Sequence, residues 1–272
     1  MKRILFLLLI PFILYGQIER SSSGGIAEID TTKYSTIYYV EGRVASIASS
    51  VSVLASDKTV NLDSSMDATE IQDSINAQPK NLNGYALTFQ FADGTYNMGS
   101  TSLSWLGFIG GTVLIKGNVG ESGLHTNQAV IINYNLSSAI NCFSFARTFL
   151  INISNIRINV TTNTYVGSTI SVSFPTKTII QGCYLNRDAM LGEHLYVSSN
   201  VEMQNNYFTN GWSAMTLFGG GIATVANCLS LTTNPNYGLI SNSASIYKAG
   251  ANMPVGITAN EFKLNGGQIF GD

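Results

Sequence analysis

The sequence predicts an all-β protein, a right-handed parallel β-helix (solenoid) preceded by a short helical segment and a capping helix. Three observations support this fold class. Four segments share the pattern apolar, variable, small or Asn, variable, apolar, and their small or Asn positions, 155, 182, 205 and 227, lie 27, 23 and 22 residues apart. Short apolar strands follow one another from about residue 85 without helical segments between them. The composition, 45% apolar and 11% charged, fits a packed interior under a surface of Ser, Thr, Asn and Gly.

The four recurring positions, Asn155, Gly182, Asn205 and Asn227, are predicted to stack in one column. Each coil of a solenoid must turn corners, and Asn and Gly adopt the left-handed backbone that a corner requires. A pair of short strands precedes each position, within residues 143–151, 170–179, 195–201 and 215–222. Self-similarity with a period of about 20 to 50 residues is typical of stacked repeats, so each coil should carry two or three strands.

The segment 1–16 is predicted to be a signal peptide or an apolar N-terminal segment. A positive start at Lys2 and Arg3 precedes an apolar run that ends at Leu14, and a cut near Gly16 would complete the pattern. The alternatives are a retained apolar tail and a short membrane anchor. The run is shorter than the roughly 20 apolar residues of a transmembrane helix, so we expect a secreted or cell-surface protein that passes the membrane by its signal peptide only.

Residues 17–62 are predicted to contain a linker and a short coiled-coil-like helix. Apolar residues recur at spacings of 3, 4, 3, 4 and 3, at Ile37, Val40, Val44, Ile47, Val51 and Leu54. β-Branched residues at both core positions of such a seam favour trimers, so self-association as a homotrimer is expected. A single amphipathic helix, or a strand over 34–40, is the alternative.

The β-helix with its N-terminal cap is assigned to residues 63–250, and residues 251–272 to a C-terminal tail. Asp67 with Glu70 three residues later indicates the capping box of a helix, and Pro79 is expected to stop that helix. One face of the helix is apolar, formed by Ala68, Ile71 and Ile75. A helix in this place would cover the first open strands, which otherwise invite aggregation.

Three cysteines, Cys142, Cys183 and Cys228, are expected to be small buried residues. None has C-x-x-C spacing, so neither a metal site nor a cofactor is predicted. Cys183 and Cys228 occupy the same position of the repeat, two coils apart with Asn206 between them. That places them about 9–10 Å apart, too far for a disulfide.

Short motifs resemble the pectate-lyase-like right-handed β-helix superfamily. They are Ile71-Gln72-Asp73-Ser74-Ile75 followed by Phe91-Ala92-Asp93-Gly94-Thr95-Tyr96, and Thr112-Val113-Leu114-Ile115-Lys116-Gly117. The first two resemble the capping helix and first coil of that superfamily, and the third resembles its second coil. The resemblance covers residues 65 to about 250 and implies the fold, whereas the chemistry differs among members.

A second resemblance is to bacteriophage tail fibres and tail spikes. It rests on the trimer-like helix ahead of the solenoid, on the Ser/Thr/Asn-rich body, and on residues 249–270. It implies a virion (tail) location and host attachment as an alternative to secretion.

The pectate-lyase-like resemblance also implies what an enzyme should contain. Pectate lyases use clustered acidic residues for Ca²⁺ with an Arg base, and polygalacturonases use paired Asp residues with a Gly-His-Gly turn. Neither set appears here, and Glu121 is the only acidic residue between positions 94 and 187. Hydrolysis by two carboxylates needs a pair about 5–9.5 Å apart.

One segment, residues 186–194, is dense in ionisable groups. Asp188 or Glu193 is the candidate acid there and His194 the candidate base. The alternative is a solvated surface loop with an ion pair between Arg187 and Asp188.

Sugar binding would need exposed aromatic faces. Tyr207 and Trp212 are the candidate glycan-binding residues, with Phe218 nearby, and the turn Asn210-Gly211 before Trp212 favours its exposure. The alternative is that these rings pack inside the coil.

These features predict an extracellular or virion protein that attaches to a cell-surface polysaccharide or glycan without enzymatic activity. The alternatives are a secreted polysaccharide lyase or depolymerase of pectate-lyase-like fold, and an exported structural protein without a ligand. The net charge of −2 and the absence of a run of Lys or Arg argue against nucleic acid as a partner.

Overall fold

The computed structural model describes residues 52–118, 127–138, 140–162, 167–173, 177–189, 192–230, 234–249 and 252–271. These residues belong to one compact unit, Val51–Asp272. The predicted signal peptide and the seam positions Ile37 to Val51 lie outside the described residues. No helix within the described ranges is long and apolar enough to cross a membrane.

The strands, numbered in chain order, form three sheets. Sheet 1 contains β1 (Lys58–Leu62), β2 (Ala86–Phe91), β5 (Thr112–Lys116), β8 (Leu150–Ser154), β11 (Lys177–Gln181), β14 (Asn200–Gln204), β17 (Ile222–Ala226), β20 (Ser245–Lys248) and β22 (Gln268–Phe270). Sheet 2 contains β3 (Gly94–Gly99), β6 (Val130–Leu136), β9 (Arg157–Thr162), β12 (Tyr184–Arg187), β15 (Tyr207–Thr209) and β18 (Leu229–Ser230). Sheet 3 contains β4 (Leu103–Leu106), β7 (Phe143–Ala146), β10 (Ile170–Ser173), β13 (Leu195–Val197), β16 (Ser213–Phe218), β19 (Tyr237–Asn242) and β21 (Ala259–Leu264).

From β2 to β20 the chain visits sheets 1, 2 and 3 in turn, and each strand pairs in parallel with the strand one coil away. In sheet 1, for example, Ile153 pairs with Ile180, and Ile180 pairs with Met203. All three side chains are buried, because alternate residues of each strand point into the coil. The predicted parallel β-helix is therefore confirmed.

The predicted column of corner residues is also confirmed. Asn155, Gly182, Asn205 and Asn227 all have left-handed backbone, with φ of 57°, 61°, 55° and 49°. Each lies at the corner between sheets 1 and 2. The backbone N–H groups of the first three donate to carbonyl oxygens of the next coil, at 3.1, 3.0 and 3.1 Å. Left-handed backbone is accessible to Asn and Gly at low cost, which explains their recurrence at this corner.

The cysteines are unpaired and buried, as predicted. Asn206 occupies the coil between Cys183 and Cys228, and it is fully buried. Its amide nitrogen donates to the carbonyl of Ile180 at 2.8 Å, and its Oδ1 accepts from the backbone N–H of Cys183 at 2.9 Å. A buried amide is tolerated because both of its ends are hydrogen-bonded.

The capping helix, α1 (Ala68–Asn76), begins with the predicted capping box of Asp67 and Glu70. Its predicted apolar face is buried. The helix ends three residues before Pro79, because the chain already turns at Ala77, the C-cap.

Helix α1 also closes the first edge of sheet 3 through one side chain. The amide nitrogen of Gln72 donates to the carbonyl of Ser104 at 3.0 Å, and the Gln72 Oε1 accepts from the Ser104 backbone N–H at 2.8 Å. Gln72 thereby gives β4, the edge strand, the donor and acceptor that another strand would have supplied.

The solenoid extends beyond its predicted bounds at both ends. Strand β1 precedes residue 63 and pairs with β2, and Leu54, which we assigned to the trimer seam, is buried in the solenoid core. The predicted tail, residues 251–272, instead adds β21 and β22 to sheets 3 and 1. The tail assignment was wrong because β21 carries polar residues on both faces and β22 has only three residues, so neither strand shows a clear alternation.

Candidate functional site

The outer face of sheet 2 carries a ladder of four asparagines on consecutive coils. Asn97, Asn133, Asn159 and Asn186 are paired in register. The amide nitrogens of Asn133, Asn159 and Asn186 each donate to the Oδ1 of the asparagine one coil before, at 3.2, 2.9 and 3.2 Å. The side chains lie outside the core because they alternate with buried residues of their strands.

A second column runs beside this ladder on the same face, two residues earlier in each strand. In order it contains Thr95, Ile131, Arg157, Tyr184, Tyr207 and Leu229. The Arg157 guanidinium lies 4.7 Å from the centre of the Tyr184 ring, and its Nε donates to Asn159 at 2.9 Å. These two contacts hold the cation flat against the face.

The two columns together form the amide–tyrosine face of sheet 2, and neither column contains an acidic residue. A cavity of about 330 Å³ opens at its N-terminal end, next to a register shift between Asn97 and Gly99. Among the described residues no group of three or more His, Cys, Asp or Glu side chains could hold a metal ion. The face therefore offers amides, hydroxyls, rings and one guanidinium.

Arg187 lies inside the solenoid and not on a solvated loop. It is fully buried, and its guanidinium donates to the Thr169 hydroxyl at 3.0 Å and to the carbonyls of Glu193 and Gly167 at 2.8 and 3.1 Å. The expected surface ion pair with Asp188 is absent from the described contacts. Arg187 instead joins the corner segments of two successive coils.

His194 is also fully buried, beside Arg187. Its Nε2 lies 2.8 Å from the carbonyl of Asn210 and 3.2 Å from that of Thr209, so this nitrogen carries the proton. Burial, and then the Arg187 charge, lower the pKa of His194 to about 3. A Cβ at Gly211 would come within 3.0 Å of this nitrogen, which explains the glycine. The placement argues against His194 as a base for a substrate in solvent.

Neither candidate acid makes a hydrogen bond or ion pair with the His194 ring among the described contacts. Asp188 is exposed and lies two residues beyond Asn186 of the ladder; its carboxylate accepts the backbone N–H of Thr162 at 2.9 Å. Glu193 is half-buried and contributes its backbone carbonyl to Arg187. The structure thus brings Asp188 to the end of the amide–tyrosine face and leaves the His194 ring in the interior.

The two candidate glycan-binding rings occupy different places. Tyr207 is half-buried on the amide–tyrosine face, directly paired with Tyr184. Trp212 is 40% exposed at the corner between sheets 2 and 3. Its ring packs edge-on against Tyr237 at 5.2 Å, and Tyr237 contacts Phe262 at 5.0 Å. Phe218 stacks on Tyr196 at 4.2 Å, on sheet 3.

No known protein-family model matches this sequence, and no curated protein matches it either. Two crystal structures of the pectin methylesterase from Aspergillus niger are similar to the chain. One is 10% identical, with a TM-score of 0.35, and the match covers 80% of this chain and 86% of that one. The other is 11% identical, with the same TM-score, and the match covers 80% of this chain and 87% of that one.

The asparagine ladder was not predicted, although the sequence contains a signal for it. In each of its strands the asparagine stands between two buried residues, as in Ile132-Asn133-Tyr134 and Ile158-Asn159-Val160. Asn159 and Asn186 also follow the corner residues Asn155 and Gly182 by the same four positions. Aligning the outward positions, as well as the corners, would have revealed the ladder.

Proposed function

We propose that the protein binds a polysaccharide along the amide–tyrosine face of sheet 2, outside the cytoplasm. The observation that carries this proposal is the ladder of four asparagines that repeats once per coil beside a column containing Tyr184 and Tyr207. A ligand with a regular repeat matches such a face better than a single small molecule does.

The amides supply the polar half of this recognition. An asparagine amide has two N–H donors and two acceptor positions. Asn133 uses one donor towards Asn97 and one acceptor position towards Asn159. The second donor and the second acceptor position suit a sugar hydroxyl, which donates and accepts at once. The ladder fixes the amide orientation, so little rotamer entropy is lost on binding.

The tyrosines supply the apolar half. A ring that offers its face to the carbon-bound hydrogens of a sugar contributes area at a low entropic cost. Tyr184 also accepts the Thr209 hydroxyl at 3.1 Å, which holds its ring in place. Trp212, exposed beyond the end of β15, which is the strand of Tyr207, provides a further ring for a longer polysaccharide.

Binding to a panel of neutral, acidic and capsular polysaccharides, followed by calorimetry with the best ligand, tests the proposal. We expect Asn159→Ala and Tyr207→Ala each to raise Kd about tenfold, which corresponds to roughly 1.4 kcal/mol. Asn159→Ala removes the link between two ladder neighbours, and Tyr207→Ala removes a stacking ring.

Tyr247→Ala is the matched control, because Tyr247 is 46% exposed but lies on sheet 1, away from this face. Its Kd should equal that of the unmodified protein. Equal Kd values for all three variants would refute binding at the amide–tyrosine face.

A polysaccharide depolymerase is the second candidate, and the exposed carboxylate of Asp188 at the end of the ladder is the observation that favours it. New reducing ends or unsaturated uronates after incubation with the bound polysaccharide would support this activity, and Asp188→Asn should abolish it. Binding without any such product leaves attachment as the function. Genomic neighbours distinguish the two settings, since tail-assembly genes would indicate a virion protein and carbohydrate-uptake genes a secreted enzyme.

A further inference from the structure

The outer edge of β21, the last strand of sheet 3, has features of a protein–protein interface. Within the described residues β21 (Ala259–Leu264) pairs only with β19, so its other edge has no strand partner. Phe262 and Leu264 are each 38% exposed there, and the preceding segment exposes Val255 and Ile257 by 44% and 58%. An open edge with exposed apolar side chains favours pairing with another strand.

We infer that β21 is a dimerisation strand, which pairs antiparallel with the β21 of a second copy of this chain around a twofold axis at Phe262. A twofold interface brings the same surface patch of both copies together, so the strand must complement itself. Its sequence, Ala-Asn-Glu-Phe-Lys-Leu, does so in one register.

In that register each Glu261 lies opposite Lys263 of the second copy, and the two Phe262 rings lie opposite each other. Shifting the axis to Glu261 would place two carboxylates opposite each other, and shifting it to Lys263 would place two ammonium groups opposite each other. Like charges directly across a strand pair are destabilising, and opposite charges and aromatic pairs are stabilising. Charge complementarity therefore selects both the partner and the register.

Other contacts in the structure favour strand pairing at the open edge of β21. Lys248 binds Glu261 at 2.7 Å and holds its carboxylate at the end of the coil, where a second cation can share it. The centre of the Tyr237 ring, on the neighbouring strand β19, lies 5.0 Å from the centre of the Phe262 ring. Gln72 blocks the corresponding edge at the opposite end of sheet 3, which leaves the β21 edge as the accessible one in the described part of this sheet.

Sedimentation velocity over a concentration series of the full chain tests this inference. We expect twice the chain mass at micromolar concentration, and the mass of one chain for Phe262→Lys and for Lys263→Glu. Phe149→Lys and Glu202→Lys are the matched controls, since they make similar changes at exposed positions far from β21, and they should remain dimeric.

A mixing experiment identifies the charge pairing itself. Glu261→Lys and Lys263→Glu should each be monomeric, because each places like charges opposite each other. Mixed in equal amounts, the two variants should form a heterodimer, in which every facing pair is again opposite in charge.

A monomeric unmodified protein throughout the series would overturn the inference, and so would dimers that persist in Phe262→Lys and Lys263→Glu. A trimer that all of these variants retain would also overturn it and would assign assembly to the seam predicted within residues 37–51.

Discussion

The first coils of the solenoid contain a buried cluster of aromatic rings, whereas most aromatic rings of the last coils lie wholly or partly at the surface. Trp105 lies 5.0 Å from both Phe143 and Phe145 and 6.0 Å from Phe89, and all four side chains are at most 1% exposed. In the last coils the exposed rings include Trp212 at 40%, and also Phe262, Tyr247 and Phe270 at 38%, 46% and 40%.

Both regions are built from the same kind of stacked parallel strands, so this difference lies mainly in their side chains. The interior of the later coils is filled by smaller groups such as Val201, Met203, Leu217 and Val225. Several aromatic rings of the later coils therefore lie at the surface, where they contact rings of neighbouring coils. The early coils are therefore packed largely around aromatic rings, whereas the later coils carry more of their rings at the surface.

The largest expected effect is in the aliphatic interior. Ile180→Asp places a charge where the side chain is fully buried between Ile153 and Met203, and it should lower the free energy of unfolding by about 5 kcal/mol. Urea denaturation measures this change. Gln181→Asp, exposed on the same strand, should change stability little. An unchanged midpoint for Ile180→Asp would mean that the residue faces water.

The comparison of regions is tested most directly by two tryptophans. Trp105→Ala should cost about 4 kcal/mol, because it leaves a cavity in the ring cluster. Trp212→Ala removes an exposed ring and should cost roughly 1 kcal/mol or less. Thermal and urea unfolding of both variants provide the measurement, and equal losses would contradict the division into two regions.

A smaller effect is expected from acid, at the corner formed by Arg187 and His194. Because the folded pKa of His194 is lowered to about 3, the folded protein does not bind the proton that the unfolded chain binds below its usual pKa of 6.5. The stability contributed by neutral His194 is therefore present above pH 6.5 and is lost as the pH falls towards 3.

His194→Gln should remove the His194 component of this pH dependence, although it lowers stability at neutral pH. The free energy of unfolding of both proteins, measured at several values between pH 7 and pH 4, decides the matter. Identical slopes in the two proteins would show that the ring is not the group that titrates.

The sequence predicted the corner repeat and the cap, but it did not predict the asparagine ladder or the buried polar residues that depart from the repeat. The corner column at Asn155 and the capping box at Asp67 follow local backbone chemistry, which a sequence pattern carries directly. Arg187 and His194 are polar side chains at buried positions, so the usual preference of such groups for water predicts the surface for both. Only the neighbouring coils, which supply carbonyl acceptors, make their burial tolerable.

The candidate site was predicted in part. Tyr207 was recognised as a ring near a corner, but its partner Tyr184 and the asparagines beside it become a surface only when positions 23 to 36 residues apart are stacked in register. Trp212 is exposed as expected, because the Asn210-Gly211 turn has left-handed backbone at both residues and carries the chain out of the core.

Because Gln72 contacts Ser104, the two edge strands of sheet 3 differ in whether they can pair with a further strand. Solenoids with two open ends can add copies head to tail without limit, and the result is a fibre. Here one end accepts no further strand, because a side-chain amide already occupies its donor and acceptor. Growth by sheet continuation can therefore proceed from one end only, and a copy that joins there presents its own closed end outward. An assembly built through this sheet by the inferred β21 pairing would therefore stop at two chains.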